Sequence, residues 1–285
     1  MLVKQGYFWT ILAVLIFAVS SGILVKFISV PAFTLYSIGA FWAILFLIVS
    51  LATKRKLGDL LRYPAKTLWL MLGVGLGIAI NNGLFFTALK SGLISNAVLA
   101  HSLAPLLVVL VFEPIMLKEN IIVKNIVLSI LGLAGIYILV LPNLGRSIDI
   151  ALIYGSLAAV FWAFHTALEK KVTRTTADPL SAVVYKNLVP LVVFSPFAFR
   201  SIQEGVSFNN MLWSAVFGIL VLGVAFIFYF KGIKKISATS VSILNYIEPI
   251  GAIGLAAVFF NEPVSIHTIV GGMLIILSGM GVIKR

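Results

Sequence analysis

Apolar stretches of about 20 residues follow one another along almost the whole chain, separated by short punctuated loops. No other feature constrains the fold as much. A helix of that length crosses a hydrocarbon core of ~30 Å. Inside that core each backbone polar group must be satisfied by the protein itself. Of 285 residues, 61% are hydrophobic and 11% charged, against roughly 45–50% and about 25% in soluble domains. The chain therefore reads as an integral membrane protein rather than a soluble domain with an anchor. Its first apolar run is too long for a signal peptide and lacks a small-residue cleavage site, so it reads as the first span.

The spacing predicts ten spans, at 7–28, 33–51, 67–89, 94–117, 120–141, 150–172, 180–200, 210–231, 238–260 and 264–283. Breakers such as Pro31, Pro64, Pro142, Pro179 and Gly205 punctuate them. The 21 Lys and Arg residues, which give a net charge of +12, divide unevenly between the two sides. Four (Lys26, Lys90, Arg146, Arg200) fall on one side, Lys186 lies within a span, and the other sixteen fall on the side of the N-terminus. Such a bias predicts both termini in the cytoplasm of a cell (inner) membrane. It also accounts for the basicity without nucleic acid as a partner. The chain has no cysteine, so thiol chemistry and thiolate metal sites are excluded.

An internal repeat follows from sliding the chain along itself. A shift of 144 lays "SVSILNYIEPIGAIGLAAVFF" (240–260) over "NAVLAHSLAPLLVVLVF" (96–112), with Pro249 on Pro105 and Asn245 on His101. With a one-residue gap Glu262 falls on Glu119. A shift of 145 lays "LAAVFWAFHTALEKK" (157–171) over "LAVLIFAVSSGILVK" (12–26), setting His165 and Thr166 opposite Ser20 and Ser21. Five spans per half means that the second half enters the membrane from the opposite side. The expected fold is all-α, ten transmembrane helices in two inverted-topology five-helix repeats, residues 1–145 and 146–285. That layout is characteristic of secondary transporters. Pro105 and Pro249 each remove a backbone hydrogen bond near mid-span and are expected to kink their helices.

Ten spans in two halves, with "LAPLLVVLVFEPIMLKE" in span 4 and "IEPIGAIGLAAVFFNEP" in span 9, resemble the EamA-type members of the drug/metabolite transporter superfamily. The resemblance covers nearly the whole chain. It implies an alternating-access exporter of amino acids or other small metabolites. A related small multidrug branch carries a proton-binding Glu in its first helix; here span 1 has only Ser20 and Ser21 there.

Polar groups at membrane depth face protein or a watery cavity. On that ground the expected substrate-binding residues are Asn82, Asn96, His101, Trp162, His165, Asn245, Tyr246 and Glu248. Of the adjacent Asn81 and Asn82, one is expected to face the cavity and the other to bond between helices. Glu248 is the strongest single candidate, either lining the cavity or bonding a neighbouring helix. Lys186 snorkels to the interface, pairs with a carboxylate such as Glu248 as a charge-coupling partner, or attracts an anionic group of the substrate. Glu113 and Glu119 read as solvated caps or surface ion pairs with Lys118. Glycines at 73–77, 251, 254 and 271–272 allow close helix approach. Spans 5 and 10 carry small-residue seams that either pack the halves together or support a homodimer.

The expected partners are a small-molecule substrate and the lipid bilayer. No cofactor or metal is called for: no pair of His has ligand spacing, and no P-loop is present. Two rival functions stay in view. A lipid flippase would use Lys186 as a headgroup site. An intramembrane enzyme would need a nucleophile or metal constellation, and no such constellation stands out.

Overall fold

The computed structural model describes residues 2–91, 94–143, 150–175, 177–261 and 264–283. Glu262 and Arg146, and the side chains of Ser21, Lys26 and Lys90, lie outside them. Among the described residues all regular structure is helical, and ten helices are long and apolar enough to cross a membrane. They are α1 (Leu2–Ser20), α2 (Ala32–Thr53), α3 (Ala65–Leu89), α4 (Asn96–Leu117), α5 (Val123–Val140), α6 (Ile150–Thr173), α7 (Pro179–Gln203), α8 (Phe208–Ile233), α9 (Ala238–Phe260) and α10 (Ile266–Ile283). The expected spans are all present, displaced by a few residues at their ends. Asp178 caps α7 by accepting from the Leu180 N–H, with Pro179 at the first helical position.

The largest helix–helix contacts join one half of the chain to the other. α3 packs on α6, α2 on α7, α5 on α10, α4 on α6, and α1 on α8 and α9. Adding or subtracting five from each helix number turns this set of partners into itself. Polar contacts then fix which helix ends meet. Lys235 bonds Gln5, Lys170 donates to the carbonyls of Ile233 and Ile236, and the Tyr7 hydroxyl donates to Val282. Arg174 pairs with Glu119 and Tyr185 donates to Leu60. Thus α1 begins at the end where α4, α6, α8 and α10 finish. This end carries most of the basic residues and is called the basic end below. At the other end Ser29 bonds Asn210, and Phe27 stacks on Trp213 with ring centroids 4.8 Å apart.

The helices α4 and α9 break at matching places. α4 is helical over Ile94–His101 and resumes at Ala104; α9 is helical over Ala238–Leu244 and resumes at Ile247. The cause is Pro105 in one and Pro249 in the other. A proline ring collides with the carbonyl four residues earlier and offers no N–H to it, here that of His101 and of Asn245. The chain answers by tightening the turn: Leu103 N–H bonds Ala100 O at 3.2 Å, and Tyr246 N–H bonds Ile243 O at 3.2 Å.

The α5–α10 seam is closed inside the chain. A Cβ on Gly135 would lie 2.7 Å from the Gly271 carbonyl oxygen, so only glycine permits this approach. Ser278 donates to Leu128 O at 2.7 Å across the same seam. The small residues of these two helices thus hold the two halves to each other.

Candidate functional site

The two broken helices meet at their breaks. The Tyr246 hydroxyl donates to the Ser102 carbonyl at 2.8 Å. These residues are 144 apart, which is the repeat shift itself. Equivalent residues of two halves can touch only close to the axis that relates the halves. The same hydroxyl lies 3.4 Å from Ser129 O. Gly132 leaves room for the ring. Tyr246 therefore ties α4, α5 and α9 together, and it is buried.

Beside each break sits an aromatic ring at an equivalent position. In the first half the Phe85 ring lies 4.5 Å from that of His101. In the second, 144 residues on, the Tyr229 hydroxyl accepts from Asn245 Nδ2 at 3.3 Å. The scaffold is shared and the chemistry is not.

The first-half cluster is tied by hydrogen bonds. Asn81 Nδ2 reaches His101 Nε2 at 2.9 Å and donates to Ala158 O at 2.8 Å, linking α3, α4 and α6. Asn81 is thus an inter-helix bond, and Asn82 beside it is buried as well. Trp162 of α6 is half-buried, its ring 5.5 Å from that of His101 and 4.8 Å from that of His165. Asn96, at the start of α4, is fully buried. Glu248 follows the α9 break, half-buried, with its backbone N–H on Asn245 O at 3.0 Å. Its carboxylate acts electrostatically on Tyr36 of α2.

The second-half cluster carries charge. His165 and Glu169 lie one turn apart on α6, both fully buried, with Nδ1 3.7 Å from Oε2. Lys186 of α7 is 1% exposed, and its Nζ lies 2.9 Å from the Phe226 ring centroid. It does not snorkel. The ammonium sits against an aromatic face in the protein interior. The Glu169 carboxylate acts on it electrostatically. α7 packs on α2 and α3, and the Lys186 side chain points toward Phe226 of α8. Asn187 donates to Leu222 O at 3.0 Å, while its Oδ1 has no hydrogen-bond partner. Tyr229, bonded to Asn245, also lies in the field of Glu169. The α3 glycines make the close packing possible: a Cβ on Gly77 would lie 2.8 Å from that of His165.

Glu169 and Tyr229 were not singled out from the sequence, whereas Asn187 is a secondary lining candidate there. Glu169 directly precedes the basic pair Lys170 and Lys171. The available signal was its four-residue spacing from His165, which puts both on one helix face.

At the basic end Glu113 and Glu119 differ from their sequence reading. Glu113 is buried and accepts from the hydroxyl and N–H of Thr239, capping the start of α9. The wide π-helical turns over Val108–Leu117 end at Lys118 in a left-handed conformation. Lys118 is exposed, and Glu119 pairs instead with Arg174, which also donates to Leu117 O at 3.0 Å.

Comparison with known proteins adds the following. The sequence model of the EamA-like transporter family matches twice, over residues 4–141 and 149–283. A protein of Clostridium kluyveri named an uncharacterized transporter is 28% identical over 177 residues, 59% of this chain and 57% of its own. One of Archaeoglobus fulgidus, named likewise, is 24% identical over 70% of this chain and 73% of its own. The uncharacterized transporter YxxF of Bacillus subtilis is 25% identical over 73% and 67%. A protein of known crystal structure, 20% identical, shares the fold with a TM-score of 0.78 over 97% of this chain and 96% of that one.

Proposed function

The chain belongs to the EamA-like transporter family, and from that premise we propose that it exports amino acids or similar small metabolites by alternating access between two inverted halves, residues 1–145 and 146–285. That it is a multi-pass membrane transporter, not an enzyme, follows from the family and the ten spans. The substrate class, the inversion and the orientation are the proposal. On this reading the basic end faces the cytoplasm of a cell (inner) membrane, with both termini on that side.

The observation that carries the reading is the contact between Tyr246 and Ser102. It sets two interrupted helices, one from each half, against each other on the axis between the halves. Interrupted helices at a repeat interface are where transporters of this kind bind their cargo. His101, Trp162, Asn245 and Glu248 lie beside the two breaks, and on this reading they and Asn82 offer hydrogen bonds, a ring face and a carboxylate to a small polar molecule. The ties at the basic end then act as a closed cytoplasmic gate: Glu113 on Thr239, Arg174 on Glu119, Lys170 on Ile233 and Ile236. Opening would exchange these charge-assisted bonds for water and for matching contacts at the other end.

The flippase reading loses its main support, because the Lys186 ammonium lies under Phe226 and presents no surface to a headgroup.

Reconstitution in liposomes with a panel of labelled amino acids, nucleosides and lipids tests the proposal. The expected result is uptake of at least one amino acid or metabolite and of no lipid. His101→Leu and Asn245→Leu should each reduce that uptake by about tenfold, a loss of ~1.4 kcal/mol, with the protein still folded. Normal transport by both variants would place the substrate elsewhere and leave these residues as inter-helix bonds.

A further inference from the structure

Two buried carboxylates in this chain are treated very differently. Glu113 is saturated, holding Thr239 through both its oxygens. Glu169 is fully buried, and neither of its oxygens has a hydrogen-bond partner. The same holds for both ring nitrogens of His165, for Lys186 Nζ, and for Ser242 Oγ and the Oδ1 atoms of Asn187 and Asn245. An ionised carboxylate kept from water normally collects hydrogen bonds, because its desolvation costs several kcal/mol. A purely structural Glu would be bonded as Glu113 is. A carboxyl that must exist in both ionisation states cannot be locked to donors that suit only one of them.

The surroundings fit such a group. The titratable side chain placed against Glu169 is His165 on α6 itself, Nδ1 3.7 Å from Oε2, and Glu169 acts electrostatically on Lys186 of α7 and Tyr229 of α8. From α4, His101 acts on His165, and Glu113 acts on Lys170, nearer the basic end. From α3 the facing residues are glycines, Gly73 against Leu168 and Gly77 against His165. From α9 the group beside Tyr229 is the neutral Asn245, and Glu248 acts on Tyr36 instead. Thus one carboxylate is matched by one lysine, with a histidine one helical turn away. A metal ion held by this carboxylate would lie in the field of the Lys186 ammonium, which repels it. A proton would not, because it converts the carboxylate to a neutral acid.

We propose that Glu169 is a proton-binding site, with Lys186 as its counter-charge and His165 as the neighbour that passes the proton to and from it. The step is a protonation of the carboxylate oxygen and its reversal, with no other bond made or broken. Given the transport reading above, on which this part rests, the proton bound here is the one exchanged during the transport cycle. The site has no counterpart in the first half, where the repeat sets Leu24 against Glu169 and Phe41 against Lys186.

Infrared difference spectroscopy of the purified protein between about pH 5 and about pH 9 tests the site without any substrate. The expected result is a carboxyl C=O band at the high-frequency position of an unbonded acid, apart from the solvated carboxyls. It should vanish in Glu169→Gln and persist in Glu248→Gln and Glu113→Gln. Should Glu169→Gln fail to fold, Lys186→Met gives a second reading. Loss of the ammonium favours the neutral acid, so the band's midpoint should move toward alkaline pH by about one unit or more. Absence of the band from the wild type, its survival in Glu169→Gln, or an unmoved midpoint in Lys186→Met would overturn the site. In liposomes, for whichever metabolite the wild type accumulates, Glu169→Gln should bring the ratio of uptake with and without a pH gradient to unity. An unchanged ratio would overturn the coupling. If no metabolite is transported, the transport reading fails while the infrared result still decides the proton site.

Discussion

The two halves place a ring beside a broken helix in the same way and then do different chemistry with it. In the first half Phe85 lies against His101, and Asn81 satisfies the imidazole with a hydrogen bond. In the second half the equivalents are Tyr229 and Asn245, and the space behind them holds Glu169, Lys186 and His165 with unpartnered polar atoms. The difference teaches that the repeat carries the scaffold and not the function. Backbone breaks, the helix crossing and the α5–α10 seam obey the pseudo-symmetry. The buried His165–Glu169 pair and Lys186 lie on one side of it.

The comparison can be broken most sharply at the charged cluster. Glu169→Leu leaves the Lys186 ammonium buried without its carboxylate and should cost about 3–5 kcal/mol of stability. Adding Lys186→Leu should restore most of that loss, as measured by thermal unfolding in detergent. Asn81→Leu, the corresponding test of the first half, should cost far less. Equal losses in the two halves would erase the distinction. A smaller effect tests what joins the halves. Gly135→Leu drives a side chain into the Gly271 carbonyl and should destabilise by about 1–3 kcal/mol, seen as a lower unfolding temperature. Gly58→Leu, with nothing within 4 Å of its added Cβ, should be neutral. The smallest effect sharpens the axis itself. Tyr246→Phe removes the hydroxyl that bonds Ser102 O and Ser129 O, and an interhelical bond of this kind is worth about 0.6 and at most about 1.7 kcal/mol in membranes. It should loosen the α4–α9 crossing without unfolding the protein. A loss well above that range would show that Tyr246 does more than bridge the two breaks.

Much of this was legible in the chain. The proline positions predicted kinks in α4 and α9, and the breaks lie a few residues ahead of Pro105 and Pro249, where the proline ring meets a carbonyl. The repeat shift named His101 and Asn245 as equivalents, and the helices around them pack as equivalents. The sequence reading went astray where a side chain's environment depends on another helix. From sequence Lys186 reads as reaching the interface, pairing with a carboxylate such as Glu248 or attracting an anionic substrate group, and its full burial removes the first of these. Glu113 looked solvated because it lies near a helix end, yet the wide turns of Val108–Leu117 lead into the start of α9 and bury it.

By itself the sequence determined the number of spans, their all-helical form, the placement of most basic residues at one end, and the repeat. The reason is that a bilayer imposes these one segment at a time: each segment must satisfy its own backbone and match the hydrocarbon thickness, with no reference to its neighbours. Only the tertiary structure decided which polar groups meet. Within a run of apolar residues the hydrophobic pattern barely distinguishes one helix face from another. The rotation of α6 that turns Glu169 inward, and the packing of α7 that turns Lys186 toward Phe226, are settled by close contacts at glycines such as Gly75 and Gly77. Those contacts lie between segments far apart in the chain.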